Sequence, residues 1–157
     1  MKKDILAVFD LDFTLWDCGG MWIDCTTPPF YKLNGKITDS ENRNFRLYSD
    51  VPDILNFLMN KNIDMGIASR TGEPAWAEHL LYLFGIEKYF RFKEIYPAGK
   101  STHFKKLHKL SGIPYSDMFF FDDEYRNIDE VSKLGVNCMH VRNGVSKKTV
   151  LDFIQYG

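Results

Sequence analysis

Ile5-Leu6-Ala7-Val8-Phe9-Asp10-Leu11-Asp12-Phe13-Thr14 is the stretch from which the fold can be read. Its first half is an unbroken apolar run, the pattern of a strand buried on both faces of a parallel sheet. Its second half turns abruptly acidic. Residues two apart on an extended backbone point the same way, so Asp10 and Asp12 leave the strand end together. Two carboxylates held side by side repel, which raises one pKa unless a cation lies between them. Most D-x-D segments are only solvated loops with helix-capping acids, so the pair takes its meaning from what the rest of the chain brings to it.

Beyond this strand, residues 16–49 read as an irregular segment rich in Gly, Pro, Thr and Asn. Asn34-Gly35, between Lys-Leu and Lys-Ile, marks a tight hairpin turn. Asp50-Val51-Pro52 reads as a helix start, with Asp50 as the cap and Pro52 in the first turn. Val51, Ile54, Leu55 and Leu58 then form an apolar stripe at helical spacing. Ile63 to Ser69 is a second strand. Ala77, Leu80, Leu81 and Phe84 repeat the helical stripe, ended by Gly85.

A short strand around Glu94–Tyr96 precedes a helix from Ser101 to Leu110, closed by Gly112 and Pro114. Met118 to Phe121 is a further buried strand that runs into Asp122-Asp123-Glu124. A helix near Tyr125–Leu134, a strand near Asn137–Val141 and a helix around Ser146–Gln155 complete the series. Strand and helix alternating in this way predict an α/β fold: a parallel sheet with helices on both faces, in one domain of residues 1–157 with a flap or hairpin insertion at about 16–49. In such sheets ligands bind beyond the carboxyl ends of the strands.

Composition narrows the function classes. The chain has 157 residues, 45% of them hydrophobic, which is enough for one buried core and too apolar for a disordered chain. Twenty basic and 21 acidic side chains give a net charge of -1, so no broad basic field exists to draw nucleic acid or an anionic membrane. No apolar stretch approaches the roughly 20 residues of a membrane span. Asp10 and Asp12 within the first apolar run argue against a signal peptide. Cys18, Cys25 and Cys138 leave at least one thiol unpaired and show no C-x-x-C spacing, which suits a reducing cytoplasm better than a disulfide framework or a zinc site. His79, His103, His108 and His140 show no metal-ligand spacing and read as structural or surface residues. Trp16, Trp22, Phe30 and Tyr31 read chiefly as packing of the 16–49 flap, with a wall for an aryl or sugar group as the sharper alternative.

Four strand ends carry chemistry. Asp10, Asp12 and Thr14 follow the first. Ser69-Arg70-Thr71 follow the second, where a hydroxyl, backbone N–H groups and a guanidinium suit phosphate oxygens. Thr71 also reads as the cap of the next helix. Lys100, in Pro97-Ala98-Gly99-Lys100, offers a point charge. Asp122 and Asp123 offer oxygen ligands for a hard cation such as Mg2+. Each cluster alone has a bland reading as capping or surface decoration. Together they supply the nucleophile, hydroxyl, cation and metal-binding acids that phosphoryl transfer needs.

This set resembles the haloacid dehalogenase superfamily: D-x-D-x-T after the first strand, a Ser or Thr after the second, a Lys, and an acidic pair after a later strand. Phe9 to Trp16, Pro28-Pro29-Phe30, Ala68-Ser69-Arg70-Thr71, Glu94-Ile95-Tyr96-Pro97, Lys100, Thr102-His103-Phe104, Phe120 to Glu124 and Arg126-Asn127-Ile128 are similar to its magnesium-dependent phosphatase branch. Asp17-Cys18-Gly19-Gly20-Met21 departs from that branch, which has a shorter, Pro-containing stretch there; this loop bears on substrate choice.

The resemblance implies a Rossmann-like three-layer sandwich with a minimal cap or none. It implies a Mg2+-dependent phosphatase acting on phosphotyrosine-type or sugar phosphates, working as a cytoplasmic monomer on a small phosphorylated substrate or a phosphotyrosine-bearing peptide. Asp10 would be nucleophile and metal ligand, and Asp12 general acid and base and a ligand through its carbonyl. Asp123 would be a ligand, with Asp122 a ligand or a support. Leu11, Asp12, Ser69, Arg70 and Lys100 would hold the phosphate, and Thr14 would orient the Asp10–Asp12 loop. A dehalogenase needs neither Asp12 nor the Asp122-Asp123 pair. Phosphatases of the polymerase tail are the nearest enzymatic alternative, and a phosphate-binding module without turnover is the alternative of another class.

Overall fold

In a computed structural model, which describes residues 4–156, the first strand β1 spans Leu6–Phe9 and is wholly buried. In chain order follow β2 (Trp16–Cys18), β3 (Tyr31–Leu33), β4 (Lys36–Thr38) and β5 (Asn44–Leu47). Helix α1 (Val51–Asn60), β6 (Asp64–Ser69), α2 (Pro74–Phe84), β7 (Phe92–Ile95) and α3 (Lys100–Ser111) come next. The chain closes with β8 (Met118–Asp122), α4 (Tyr125–Ser132), β9 (Asn137–His140) and α5 (Lys147–Tyr156). The central sheet has the order β7-β6-β1-β8-β9, and every pair is parallel.

Period-two alternation assigns each strand residue to one of two cores. Ala7 and Phe9 of β1, Met65 and Ile67 of β6, and Phe119 and Phe121 of β8 pack on one face with Val51, Ile54, Leu55 and Leu58 of α1, Leu80 and Leu81 of α2, and Val150 of α5. Leu6, Val8, Ala68, Met118 and Phe120 face the other way, against Phe104 and Leu107 of α3 and Ile128 and Val131 of α4. This is the three-layer α/β sandwich expected from the alternation of elements. The register pairs Phe9 with Ile67 on one side and with Phe121 on the other. Asp10, Ser69 and Asp122 therefore emerge at one end of the sheet.

The 16–49 segment is more ordered than its composition suggests. Asn34 and Gly35 both take positive φ (53° and 78°), the two-residue hairpin turn read from the sequence. That hairpin is half of an antiparallel sheet of order β2-β5-β4-β3. Strands of three or four residues are too short to declare a period, which is why β2 and β5 escape sequence reading. Asp39 pins the intervening loop, accepting from the backbone N–H of Thr27, Glu41 and Arg43 at 2.9–3.0 Å.

Two capping expectations need correction. Asp50 makes no side-chain cap to α1. It accepts instead from the Lys147 N–H at 2.8 Å and so holds the first turn of α5. Thr71 does not cap α2; its hydroxyl accepts from the Glu73 N–H, within the turn that precedes the helix. Strand β7 also begins two residues earlier than expected, with Phe92 beside Gly66 of β6.

Gly144 holds the turn into α5 against the β5 side of the molecule. Its φ is +81°, and a Cβ there would lie 2.2 Å from the Tyr48 ring. Gly35, also at positive φ, faces open space. Gly35→Ala should therefore cost about 1–2 kcal/mol of conformational strain. Gly144→Ala should cost a further ~1–3 kcal/mol for overpacking against the ring. Equilibrium urea unfolding measures both, and equal costs would refute the contact.

Candidate active site

Asp10 sits one residue past β1, with its backbone N–H still bonded to the Phe121 carbonyl at 3.0 Å. The chain then turns sharply through Phe13 at φ 61°, so that the Thr14, Leu15 and Trp16 N–H groups all point back at the Leu11 carbonyl. This turn brings Thr14 beneath Asp10, where its hydroxyl donates to Asp10 Oδ2 at 3.2 Å. On the other side Lys100, the first residue of α3 and fully buried, donates to Asp10 Oδ1 at 3.0 Å. Lys100 also lies 3.1 Å from Asp122 Oδ2 and donates to the Ala68 carbonyl.

Asp122 accepts from the Glu124 N–H at 2.8 Å and from Asn127 Nδ2 at 3.1 Å. The amide of Asn127 passes the chain of contacts on, accepting from Arg70 at 3.1 Å. Ser69 is buried, and its hydroxyl oxygen accepts from the Thr71 N–H at 3.3 Å, which leaves its own O–H to donate outward. These groups surround a cleft of about 150 Å3 lined by Asp10, Asp12, Ser69, Arg70, Thr71, Lys100 and Asn127, together with Glu124 and the more exposed Trp22, Asp24 and Arg126.

Burial sets the electrostatics. It pushes Asp10 up to about 7, with the neighbouring Asp123 adding to the rise and Lys100 opposing it. It pushes Asp122 up to about 7, helped by Asp10, and Asp123 up to about 6. Burial alone would lower Lys100, but Asp10 and Asp122 outweigh it and hold the ammonium charged. Asp12 is likewise pushed up to about 7 by burial and by Asp10, while the Trp16 indole N–H pulls the other way.

Among the described residues, Asp10, Asp122 and Asp123 form the one group of potential metal ligands, each offering an oxygen within 4.8 Å of the others. An all-carboxylate oxygen set, crowded enough to raise its own pKa values and opposed by a single lysine, fits a hard divalent cation such as Mg2+. Asp122 is the most committed of the three, since Glu124, Asn127 and Lys100 already occupy its oxygens.

The sequence-chosen residues Asp10, Asp12, Thr14, Ser69, Arg70, Lys100, Asp122 and Asp123 are thus brought together. Leu11 stands apart: its side chain is wholly buried and does not line the cleft, so only its backbone can serve there. Cys18 and Cys25 join no metal group, and all three cysteines are free. Trp16 and Phe30 pack inside as expected, whereas Trp22 is half exposed at the cleft. Asp24 was missed, and Asn127 and Glu124, though within the motifs quoted above, were given no role. The polar face of α4 after an acidic pair was the available signal for Asn127; nothing local marks Asp24.

Three of the four histidines are held by backbone carbonyls. His103 is fully buried and its Nε2 donates to the Tyr96 carbonyl at 3.0 Å, leaving Nδ1 without a partner. His140 Nε2 donates to the Asp123 carbonyl at 2.7 Å, and His108 Nδ1 to that of Ile113 at 2.8 Å.

Residues 4–155 match the acid phosphatase family model. The chain is 48% identical over 147 residues to the human protein named magnesium-dependent phosphatase 1, covering 92% of this chain and 82% of that one. It is 39% identical over 143 residues to a HAD-like hydrolase superfamily protein of Schizosaccharomyces pombe, covering 83% and 81% of the two. A solved HAD-superfamily hydrolase from Ehrlichia chaffeensis shares the fold, with a TM-score of 0.67 over 99% of this chain and 98% of its own at 16% identity. Among the described residues no helix is long and apolar enough to cross a membrane.

Two outcomes follow from this electrostatic arrangement. Millimolar Mg2+ should raise the thermal midpoint, because a ligand bound only by the folded state stabilises it, and Asp123→Asn should remove most of that rise. An equal rise in both proteins would place the cation elsewhere. Burial, aided by the charge of Lys100, lowers His103 from 6.5 to about 4. Between those values the unfolded chain takes up a proton that the folded chain refuses, so stability falls with falling pH by up to about 1.4 kcal/mol per pH unit from this residue. His103→Gln should flatten that part of the decline in urea unfolding at pH 7, 6 and 5; an unchanged slope would refute it.

Proposed function

The chain belongs to the acid phosphatase family, and from that premise we propose that it is a magnesium-dependent phosphatase hydrolysing phosphate monoesters through an aspartyl-phosphate on Asp10. The observation that carries this reading is the double anchorage of Asp10. With Oδ1 against Lys100 and Oδ2 against Thr14, its carboxylate is fixed at the floor of the cleft. A nucleophile so held keeps one attack direction, which is the main protein contribution to phosphoryl transfer.

Asp10, Asp123 and the Asp12 backbone carbonyl would hold Mg2+, with Asp122 as the support that fixes Lys100 and Asn127. Bound there, Mg2+ supplies positive charge that offsets the repulsion between these carboxylates and a phosphate dianion. Ser69 donates its free O–H to a phosphate oxygen, and Arg70, steadied by Asn127, provides charge at the wall. Lys100 has three N–H groups and three protein acceptors, so it acts on the phosphate by charge more than by a free donor. Asp12 protonates the leaving oxygen and then accepts a proton from the water that hydrolyses the acyl phosphate.

The leaving group faces Trp22, Asp24, Glu124 and Arg126. An exposed indole beside carboxylates suits an aryl or sugar phosphate, whose ring packs on Trp22 and whose hydroxyls donate to the acids. A small phosphorylated molecule or a phosphotyrosine-bearing peptide, taken up by a monomer without nucleic acid or membrane, fits this open cleft and the balanced charge.

Hydrolysis of 4-nitrophenyl phosphate in Mg2+ and in EDTA tests the reading. Activity should require the metal and fall by about 10^3-fold or more in Asp10→Asn. Phosphate binding without turnover would leave only a binding module, and full activity in Asp10→Asn would remove the nucleophile.

A further inference from the structure

Asp12 differs from every other acid of the cleft in what holds it. The Trp16 indole Nε1–H donates to Oδ1 at 2.8 Å. The Ile23 backbone N–H donates to Oδ1 at 3.2 Å and to Oδ2 at 3.1 Å. No lysine or arginine touches it, and Trp16 supplies its one side-chain donor among the hydrogen bonds of the described residues.

Trp16 itself cannot turn away. It is fully buried, stacked on Phe84 with ring centroids 5.9 Å apart, and paired with Leu47 in the small sheet. Its carbonyl accepts from the Phe13 N–H at 2.7 Å, and its own N–H closes on the Leu11 carbonyl. The turn that carries Asp10 and Asp12 is therefore locked to the residue whose indole holds Asp12. A buried indole N–H needs an acceptor, so the bond fixes both partners.

From this geometry we infer that Trp16 is a positioning residue for proton transfer: it occupies Asp12 Oδ1 so that the transferable proton is carried on Oδ2, facing the leaving group. Each carboxyl oxygen has two acceptor sites. Oδ1 is met by Trp16 and by a share of the bifurcated Ile23 N–H. Oδ2 has only the other share of that N–H among the hydrogen bonds of the described residues, in a side chain that lines the cleft. As the Asp10 oxygen forms its bond to phosphorus and the bond from phosphorus to the ester oxygen breaks, the Oδ2 proton passes to that oxygen and the alcohol leaves. Oδ2 then takes a proton from the hydrolytic water. The sheet of residues 16–49, beyond covering the core, thereby sets the orientation of the acid. The inference rests on the reading of Asp12 as the proton donor.

A series of ring-substituted phenyl phosphates separates positioning from general structural damage. 4-Nitrophenolate departs without a proton, whereas unsubstituted phenolate needs one, so loss of a correctly placed acid steepens the dependence of rate on leaving-group basicity. The quantity to measure is kcat/KM, which covers the steps only as far as departure of the phenol. Trp16→Phe should leave 4-nitrophenyl phosphate within about 3-fold of wild type and slow phenyl phosphate by about 10–100-fold, a part of the usual contribution of a general acid. If Trp16→Phe fails to fold, replacement by 3-benzothienylalanine keeps the ring and removes only the N–H, and the same result is expected.

Asp12→Ala is the reference. If it steepens the series and the Trp16 variants lower every substrate equally, the positioning role is overturned while the acid stands. If Asp12→Ala lowers every substrate equally, the acid reading falls and this inference with it.

Discussion

The site depends on one buried ammonium. Lys100 is fully enclosed and spends its three N–H groups on Asp10, Asp122 and the Ala68 carbonyl, which belong to the turn after β1, the end of β8 and the end of β6. A charge so placed is tolerable only when every donor is met and opposite charge lies beside it. It also stands at the first position of α3, where the helix dipole opposes a cation. Two carboxylates overcome both penalties. Removing either acid would leave the lysine under-compensated, and removing the lysine would leave Asp10 and Asp122 facing each other in a desolvated space.

That dependence reaches the second layer of helices. Glu130 of α4 accepts from the Ser101 N–H at 3.2 Å, next to Lys100, and its carboxylate lies against Gly99, where a Cβ would come within 3.1 Å. Asn127, one turn earlier on α4, bridges Asp122 and Arg70. Helix α4 thus places the lysine, one acid and the guanidinium at once. A site built from four strand ends is held together by a helix that contributes no charge to its floor.

The central sheet was legible because its signals are long and redundant: continuous apolar runs for β1 and β8, stripes at helical spacing for α1 and α2, and glycines with positive φ after α2 and α3. The acids at the strand ends were legible for the same reason, since a strand that must be buried has an end that must be where polarity returns. What failed to read out was any choice between partners close in space and distant in sequence. Asp50 has the spacing of a cap for α1, yet α5 arrives 97 residues later and takes it. Nothing in Asp50-Val51-Pro52 can announce that competitor. The small sheet failed differently, through strands too short to show a period, so Trp16 read as packing and its indole N–H had no visible destination.

Asp10 and Asp12 show how one short motif can give like residues different surroundings. Both are buried enough to be pushed up to about 7, so burial does not distinguish them. Their donors do. Asp10 meets a full positive charge on Lys100 and stands in the cluster that suits a cation, so its environment favours the carboxylate. Asp12 meets only neutral N–H groups from Trp16 and Ile23, which favour its carboxylate less than a full positive charge would, and stands beside another acid, which favours its protonated form. Period-two backbone geometry sends the two side chains out together, and the sharp turn at Phe13 gives them different neighbours. Two carboxyls raised alike by burial but met by different partners suit the division into nucleophile and acid proposed for them.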